Sequence, residues 1–289
     1  MAVKTLERLN DLFEWGLLSP PPPIVITSNA TVNEDLKDLP LWGQINRFGP
    51  AKIVLRIIGN ELAQLNQDMI ELSRVTCLIA NGAPLIKSKL QESDRHAGLR
   101  RGKRLSVGFP YREPKSQKRF ITQYVGRLRS TDKRVEGIQG DLAFVSMREE
   151  PDGSVKIGIT PRGLTFAMFL SPLIDHAILQ DQVVTDPFSD EEAAFLLKHI
   201  SAVRPGEFEF LKVILQAIAE QKNTFELVNH QAQGFLNARY GRTVTRAVAN
   251  TMAAGAVSKL AELDCIGIGR VGKKSRYHVS TRCGLLTRS

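Results

Sequence analysis

GRTVTRAVANTMAAGAVSKLAELDCIGIGRVGKKSRYHVST, residues Gly241 to Thr281, changes periodicity once along its length. Its first half has helical spacing. Val248, Met252, Ala256, Leu260 and Leu263 gather on one side of a helical wheel. Thr243, Arg246, Asn250, Ala253 and Ala254 fall on the other, a face of short side chains that a bulky ligand could approach closely. Its second half reads as two short strands, Cys265–Gly269 and Arg276–Ser280, on either side of Arg270-Val271-Gly272-Lys273-Lys274-Ser275. That turn, with Arg276, contains four cations.

Working back from Gly241, the chain predicts three more helices, at 190–202, 206–221 and 224–238. Ser189-Asp190-Glu191-Glu192 opens the first with an N-cap and a glutamate three residues on. Three or four helices followed by a basic hairpin resemble a winged-helix domain, an elaboration of helix-turn-helix. The resemblance implies that Thr243, Arg246 and Asn250 face a DNA groove. There arginine can bond guanine and asparagine adenine, each pair adding roughly 1–3 kcal/mol of discrimination. It also implies phosphate contacts from Arg239 and Arg242 in the preceding turn. Arg270, Lys273, Lys274, Ser275 and Arg276 would act from the wing, on phosphate or in the minor groove.

The upstream half follows a similar plan. Leu39–Asn81 reads as helical, with Pro50 suited to a first turn and a second helix over Met69–Ile79. Gly82 and Pro84 break the pattern, and Leu85–Gln91 is a candidate to resume it. Arg95–Lys115, RHAGLRRGKRLSVGFPYREPK, reads as an irregular basic loop, and the expectation is that it orders on a polyanion. Ser116–Arg129 reads as a basic helix capped by Ser116. Leu142–Met147 and Val155–Ile159 form strands joined across Pro151-Asp152-Gly153, and Thr160–Ile178 returns to helix, started by Thr-Pro and broken near Pro172. Glu149, Glu150 and Asp152 make this first hairpin tip acidic, and like charge repels phosphate. If the first unit meets DNA, it does so by Arg100, Arg101, Lys103 and Arg104 in its loop and by Lys118 and Arg119.

The expected organisation is therefore mainly α with small β-hairpin wings (α+β), in two winged-helix-like domains. Residues 1–38 supply an amphipathic helix over Val3–Leu18 and a proline-rich linker. That helix docks on its own core, on a second copy or on another protein. Residues 39–180 form the first domain, with the basic loop inserted at about 83–115, and residues 187–289 form the second.

Charge supports a polyanionic partner. The net charge of +9 over 289 residues is concentrated in two segments. Ile86–Arg134 has 15 Lys and Arg against 4 Asp and Glu, and Leu236–Ser289 has 10 against 2. Asp181–Phe235, between them, is acidic, with 9 acids against 4 cations. Basic patches of this kind attract nucleic acid. Three cysteines without CxxC spacing suit neither a disulfide framework nor a zinc site, and suggest a cytoplasmic protein. No run of apolar residues is long enough to span a bilayer.

Signals for catalysis are poor. The five histidines lack ligand spacing, and neither a phosphate-binding GxxxxGK[ST] loop nor a GxSxG turn is present. No catalytic residue, metal or cofactor is expected. Double-stranded DNA is the expected partner, for a regulator or the DNA-gripping subunit of a prokaryotic complex, with a mobile-element or defence operon as one setting. A plasmid-type replication initiator and a protein-binding subunit of a larger assembly are the alternatives. The acidic first wing favours the last, and the basic second wing opposes it.

Overall fold

A computed structural model describes residues 9–13, 34–100, 102–272, 274–280 and 282. The described residues are 57% helix and 11% strand, with small antiparallel sheets, so the α+β class holds. It forms two compact units. Gly49–Leu99 and Arg104–Thr185 make up most of the first; Asp186–Ser289, with Asn33–Phe48 and Arg100–Lys103, make up the second. Residues 39–48, assigned from sequence to the first domain, therefore pack with the second.

After a short helix α1 (Glu34–Lys37) in the second unit's leading segment comes α2 (Gly49–Leu65) of the first unit, buried along nearly its whole length. A two-residue strand β1 (Ile70–Glu71) leads into α3 (Leu72–His96). This helix runs straight through Gly82 and Pro84, where a break was expected. Internal proline removes one hydrogen bond and costs about 3 kcal/mol. Val75, Ile79, Ile86 and Leu90 are nevertheless all buried, and that apolar stripe holds the helix across the proline. Gly82 meets Leu12, whose Cδ1 would stand 2.6 Å from an added Cβ. Of the expected N-terminal helix, Leu9–Leu12 is a 3-10 turn with Leu12 and Phe13 buried; the rest lies outside the described residues. Asn60 donates to the Asp11 carbonyl at 3.0 Å, so this turn docks on its own unit.

The expected basic helix is shorter than its pattern. Helix α4 (Pro114–Phe120) starts with proline at its first turn rather than with Ser116 as cap, and a π-helical turn (Ile121–Val125) follows. Gly126, at φ +98°, then ends it, because a Cβ there would meet the Glu136 carbonyl oxygen at 2.3 Å. Arg127–Leu128 (β2) pairs with Val135–Glu136 (β3), and α5 (Ile138–Asp141) precedes the main hairpin, β4 (Val145–Glu149) and β5 (Val155–Ile159). The three-stranded sheet has the order β1-β5-β4, with Ile70 opposite Ile157. The helical stretch over 160–178 breaks before Pro172, as its sequence predicts, into α6 (Pro161–Met168), capped by Thr160, and a π-helical stretch (Pro172–Ile178).

In the second unit, α7 (Asp190–Val203) begins at the expected capping box between Ser189 and Glu192. Helices α8 (Pro205–Ala219), α9 (Phe225–Tyr240) and α10 (Arg246–Glu262) follow, then the hairpin β6 (Ile266–Val271) and β7 (Lys274–Val279). Residues 38–48 cross this unit as a strap held by side chains far away in sequence. Glu207 accepts from the Leu41 N–H at 2.8 Å, Glu262 from the Phe48 N–H, and Arg204 donates to the Leu39 carbonyl at 3.1 Å. Glu207 also pairs with Lys259 at 2.6 Å, both buried.

Candidate nucleic-acid interface

The candidate interface centres on the N-terminal half of α10. Thr245 caps the helix by accepting from the Val248 N–H at 3.3 Å. The preceding turn is fixed from α9: Asn237 accepts from the Val244 N–H at 2.8 Å, and Gln233 donates to the Val244 carbonyl at 3.2 Å. Val244 is buried, and this anchors the exposed Arg242 and Thr243 on one side and the exposed Arg246 on the other. Thr243 thus lies ahead of the helix and not on its face. Arg239, in the last turn of α9, is exposed with its guanidinium 5.5 Å from the Phe235 ring centroid. Burial raises the Tyr240 phenol above its ordinary pKa, and Arg204 and Arg242 partly offset this.

The open face of α10 differs from the expected one. Ala253 is fully buried, and the strap lies along another side of the helix. An added Cβ at Gly43 would stand 2.3 Å from the Thr251 carbonyl oxygen, and one at Gly255 2.6 Å from that of Gly43. The Gly43 N–H donates to the Met252 sulfur at 3.1 Å. Exposed Arg246, Ala247 and Ala254, with half-buried Val248, Asn250, Thr251 and Ser258, are what remains accessible, so Val248 does not join the buried face expected of it. Asn250, Thr251, Ala254, Gly255 and Ser258 line a shallow groove of about 480 Å³ with Gly43, Gln44, Asn46 and Phe225. Its walls are uncharged and mix polar side chains with Phe225, Ala254 and glycine backbone. Sequence gives no sign of Gln44 or Asn46 here, because the strap reaches α10 across more than 200 residues.

The hairpin is tighter than expected. Arg270 pairs with Ser275 and Val271 with Lys274, leaving a two-residue turn in which Gly272 takes φ +61°. Opposed residues share a face, and Gly269 opposes Arg276, so Arg270 with Ser275 and Arg276 occupy opposite faces. Arg270 and Arg276 are exposed, Ser275 is partly so, and Arg276 donates to the Asn223 side chain at 2.7 Å. Lys273 and Arg101 lie outside the described residues, and Lys274 is placed by its backbone in β7.

Ion pairing separates the basic residues into classes. Lys103 is engaged by Asp264 at 2.9 Å and reaches Asp186 at 4.0 Å, so it braces the foot of the hairpin. Gly102 beside it accepts from Arg47 at 2.6 Å and lies against Ile268. Arg100, Arg239, Arg242, Arg246, Arg270 and Arg276 make no ion pair among the described residues. In the first unit Arg104, Lys118 and Arg119 are exposed and likewise without an acidic partner among the described residues. Around β2–β5, by contrast, every cation has an acid near it. Arg127 meets Glu136 at 2.6 Å and Arg148 meets Glu150 at 2.8 Å. Lys133 bonds Glu149, Arg129 and Arg134 share Glu136, and Lys156 reaches Glu150 at 4.0 Å.

No three His, Cys, Asp or Glu residues converge as a metal site among the described residues. No helix of the described residues is long and apolar enough to cross a membrane. No family model, no curated protein and no solved structure matches this chain.

Proposed function

We propose that this chain is a non-enzymatic protein that binds double-stranded DNA through units of winged-helix plan, as a regulator or as the DNA-gripping subunit of a larger complex. The second unit grips by the turn into α10 and by hairpin β6–β7. The observation that carries this reading is the segregation of cations. Arg239, Arg242 and Arg246 cluster along the turn into α10, and Arg270 and Arg276 stand on the hairpin, none of them with an acidic partner among the described residues. Asp264, the acid nearest the hairpin in sequence, is taken up by Lys103, and no Asp or Glu follows it in the chain. Cations without acidic neighbours release counterions when they meet phosphate, which favours binding.

Strand order supports the same plan in both units. In the second, the Asn223 carbonyl, in the turn between α8 and α9, accepts from the Tyr277 N–H at 2.9 Å, so a piece of chain ahead of α9 lies against the last strand. In the first, β1 lies between α2 and α3 and pairs with β5, again the last strand. Helix, short extended segment, helix and closing hairpin thus recur, with the first segment against the final strand each time.

Duplex binding across a salt series tests this, comparing the native chain with Arg270, Lys273, Lys274 and Arg276 all changed to Ala. Each phosphate left without its cation flattens the log–log slope by roughly 0.9. A fall of two units or more is expected. A slope indifferent to the four changes would remove the hairpin from the interface and point to a protein partner.

A further inference from the structure

We infer that the first unit carries a separate platform for single-stranded DNA, centred on Tyr111. Tyr111 is 63% exposed, unusual for a large aromatic, and it sits within a cationic stretch. Its ring is not loose. The Lys87 ammonium lies 3.2 Å from the ring centroid and donates to the Phe109 carbonyl at 2.9 Å. Lys87 is itself buried, so one face of the ring rests on a fixed cation and the solvent-facing surface is the other. The Tyr111 N–H is bonded to Ser116 Oγ at 3.3 Å, and the neighbouring Phe109 is buried against Phe120.

The loop that presents the ring is pinned at its start. Asp94, buried near the end of α3, accepts from the Leu105 N–H at 2.6 Å and from the Ser106 hydroxyl at 2.6 Å. Within eight residues of Tyr111 along the chain, Arg112, Lys115, Lys118 and Arg119 are exposed and make no ion pair among the described residues. Glu113 is the single acid between Arg104 and Phe120.

A held aromatic face amid unpaired cations is the chemistry that takes an unstacked base and its flanking phosphates. A duplex hides its base faces in the stack, so the ring selects a single strand. The choice of DNA over RNA rests on the duplex reading of the second unit; the platform itself does not.

The test uses the full chain and a labelled oligothymidylate of about 16 nucleotides, titrated by anisotropy in a salt series. Tyr111→Ala weakens binding about 5- to 150-fold, the worth of one stacked base, and leaves the salt slope unchanged. Tyr111→Phe stays within about twofold, since it keeps the ring. Lys118→Ala with Arg119→Ala flattens the slope by about 1.4, at roughly 0.7 for each single-strand phosphate contact. Arg270→Ala with Arg276→Ala leaves oligothymidylate binding in place while changing the duplex slope, which keeps the two readings separable. The inference is overturned if Tyr111→Ala stays within twofold, if Tyr111→Phe loses as much as the alanine variant, or if oligouridylate binds more tightly through Tyr111 than oligothymidylate does.

Discussion

The two hairpins, β4–β5 and β6–β7, are both antiparallel and both follow a helical unit, yet their cations stand in opposite states. On and beside the first, Arg127, Arg129, Lys133, Arg134, Arg148 and Lys156 are matched by Asp132, Glu136, Glu149, Glu150 and Asp152. On the second, Arg270 and Arg276 have no acid beside them among the described residues. Exposed ion pairs contribute little to stability, about 0–1 kcal/mol each. Their larger effect is on the field: a near-neutral cluster holds few counterions to release, and an unmatched one draws phosphate. The number of basic residues in a segment is therefore a poor guide to where a polyanion lands, and the pairing is a better one.

A third state sharpens the contrast. Lys259 contributes to the basic count of the C-terminal segment but is buried on Glu207. Lys259→Ala leaves the Glu207 carboxylate buried and unpaired, which costs about 3–5 kcal/mol. Urea unfolding should register that loss, while the salt slope for duplex DNA, measured where the variant is folded, should not move. A slope that fell with Lys259→Ala would mean that charge count, and not pairing, governs binding.

The same division explains what the sequence could disclose. The capping box at Ser189 and Glu192 lies within four residues, and the apolar spacing of α10 within one helix, so both were legible. The hairpins were legible too, because the turn chemistry of Pro151-Asp152-Gly153 and of Gly272 is local. Pro84 misled, since the burial that keeps α3 continuous comes from residues elsewhere in the fold. The strap over α10 was invisible, being held by Glu207, Glu262 and Arg204 across more than 160 residues. At the candidate site the basic residues were evident, but their partners were not. Lys133 with Glu149 and Lys103 with Asp264 meet only in three dimensions. Tyr111 left a weaker signal, a tyrosine set among Arg104, Arg112 and Lys115, which acquires meaning once its exposure and Lys87 are seen.

Removing matched and unmatched cations in parallel puts a number on the comparison. Arg270→Ala with Arg276→Ala should flatten the duplex salt slope by up to about 1.8. Arg148→Ala with Lys156→Ala removes the same formal charge from the first hairpin and should change the slope by less than about half a unit. Equal effects from the two pairs would collapse the distinction. The converse experiment makes the first hairpin resemble the second. Glu149→Gln with Glu150→Gln frees Lys133 and Arg148 and leaves Lys156 with Asp152 alone, at a stability cost below about 1 kcal/mol. A slope steeper by about one unit would show that acidic neighbours alone keep this hairpin from phosphate. An unchanged slope would assign that to its position.

The smallest difference lies at the bases of the hairpins. In the first, Ile157 and Ile159 are fully buried and carry nothing that titrates. In the second, Tyr277 is buried opposite Ile268, and that burial raises its phenol above the ordinary value of 10.0 by penalising the phenolate. The folded state therefore holds the proton more tightly than the unfolded chain. By linkage, Tyr277's contribution is fully present below about pH 10 and is lost as pH rises through the higher folded value. Tyr240 shifts in the same direction, but Arg204 and Arg242 draw it back, so its share should be the smaller. Tyr277→Phe should flatten the alkaline loss of stability seen by denaturant melts between about pH 9 and 11, and Tyr240→Phe should flatten it less. If the Tyr277→Phe and native curves superimpose across that range, the base of the second hairpin opens to water more readily than its packing implies. The two hairpins would then differ in charge alone.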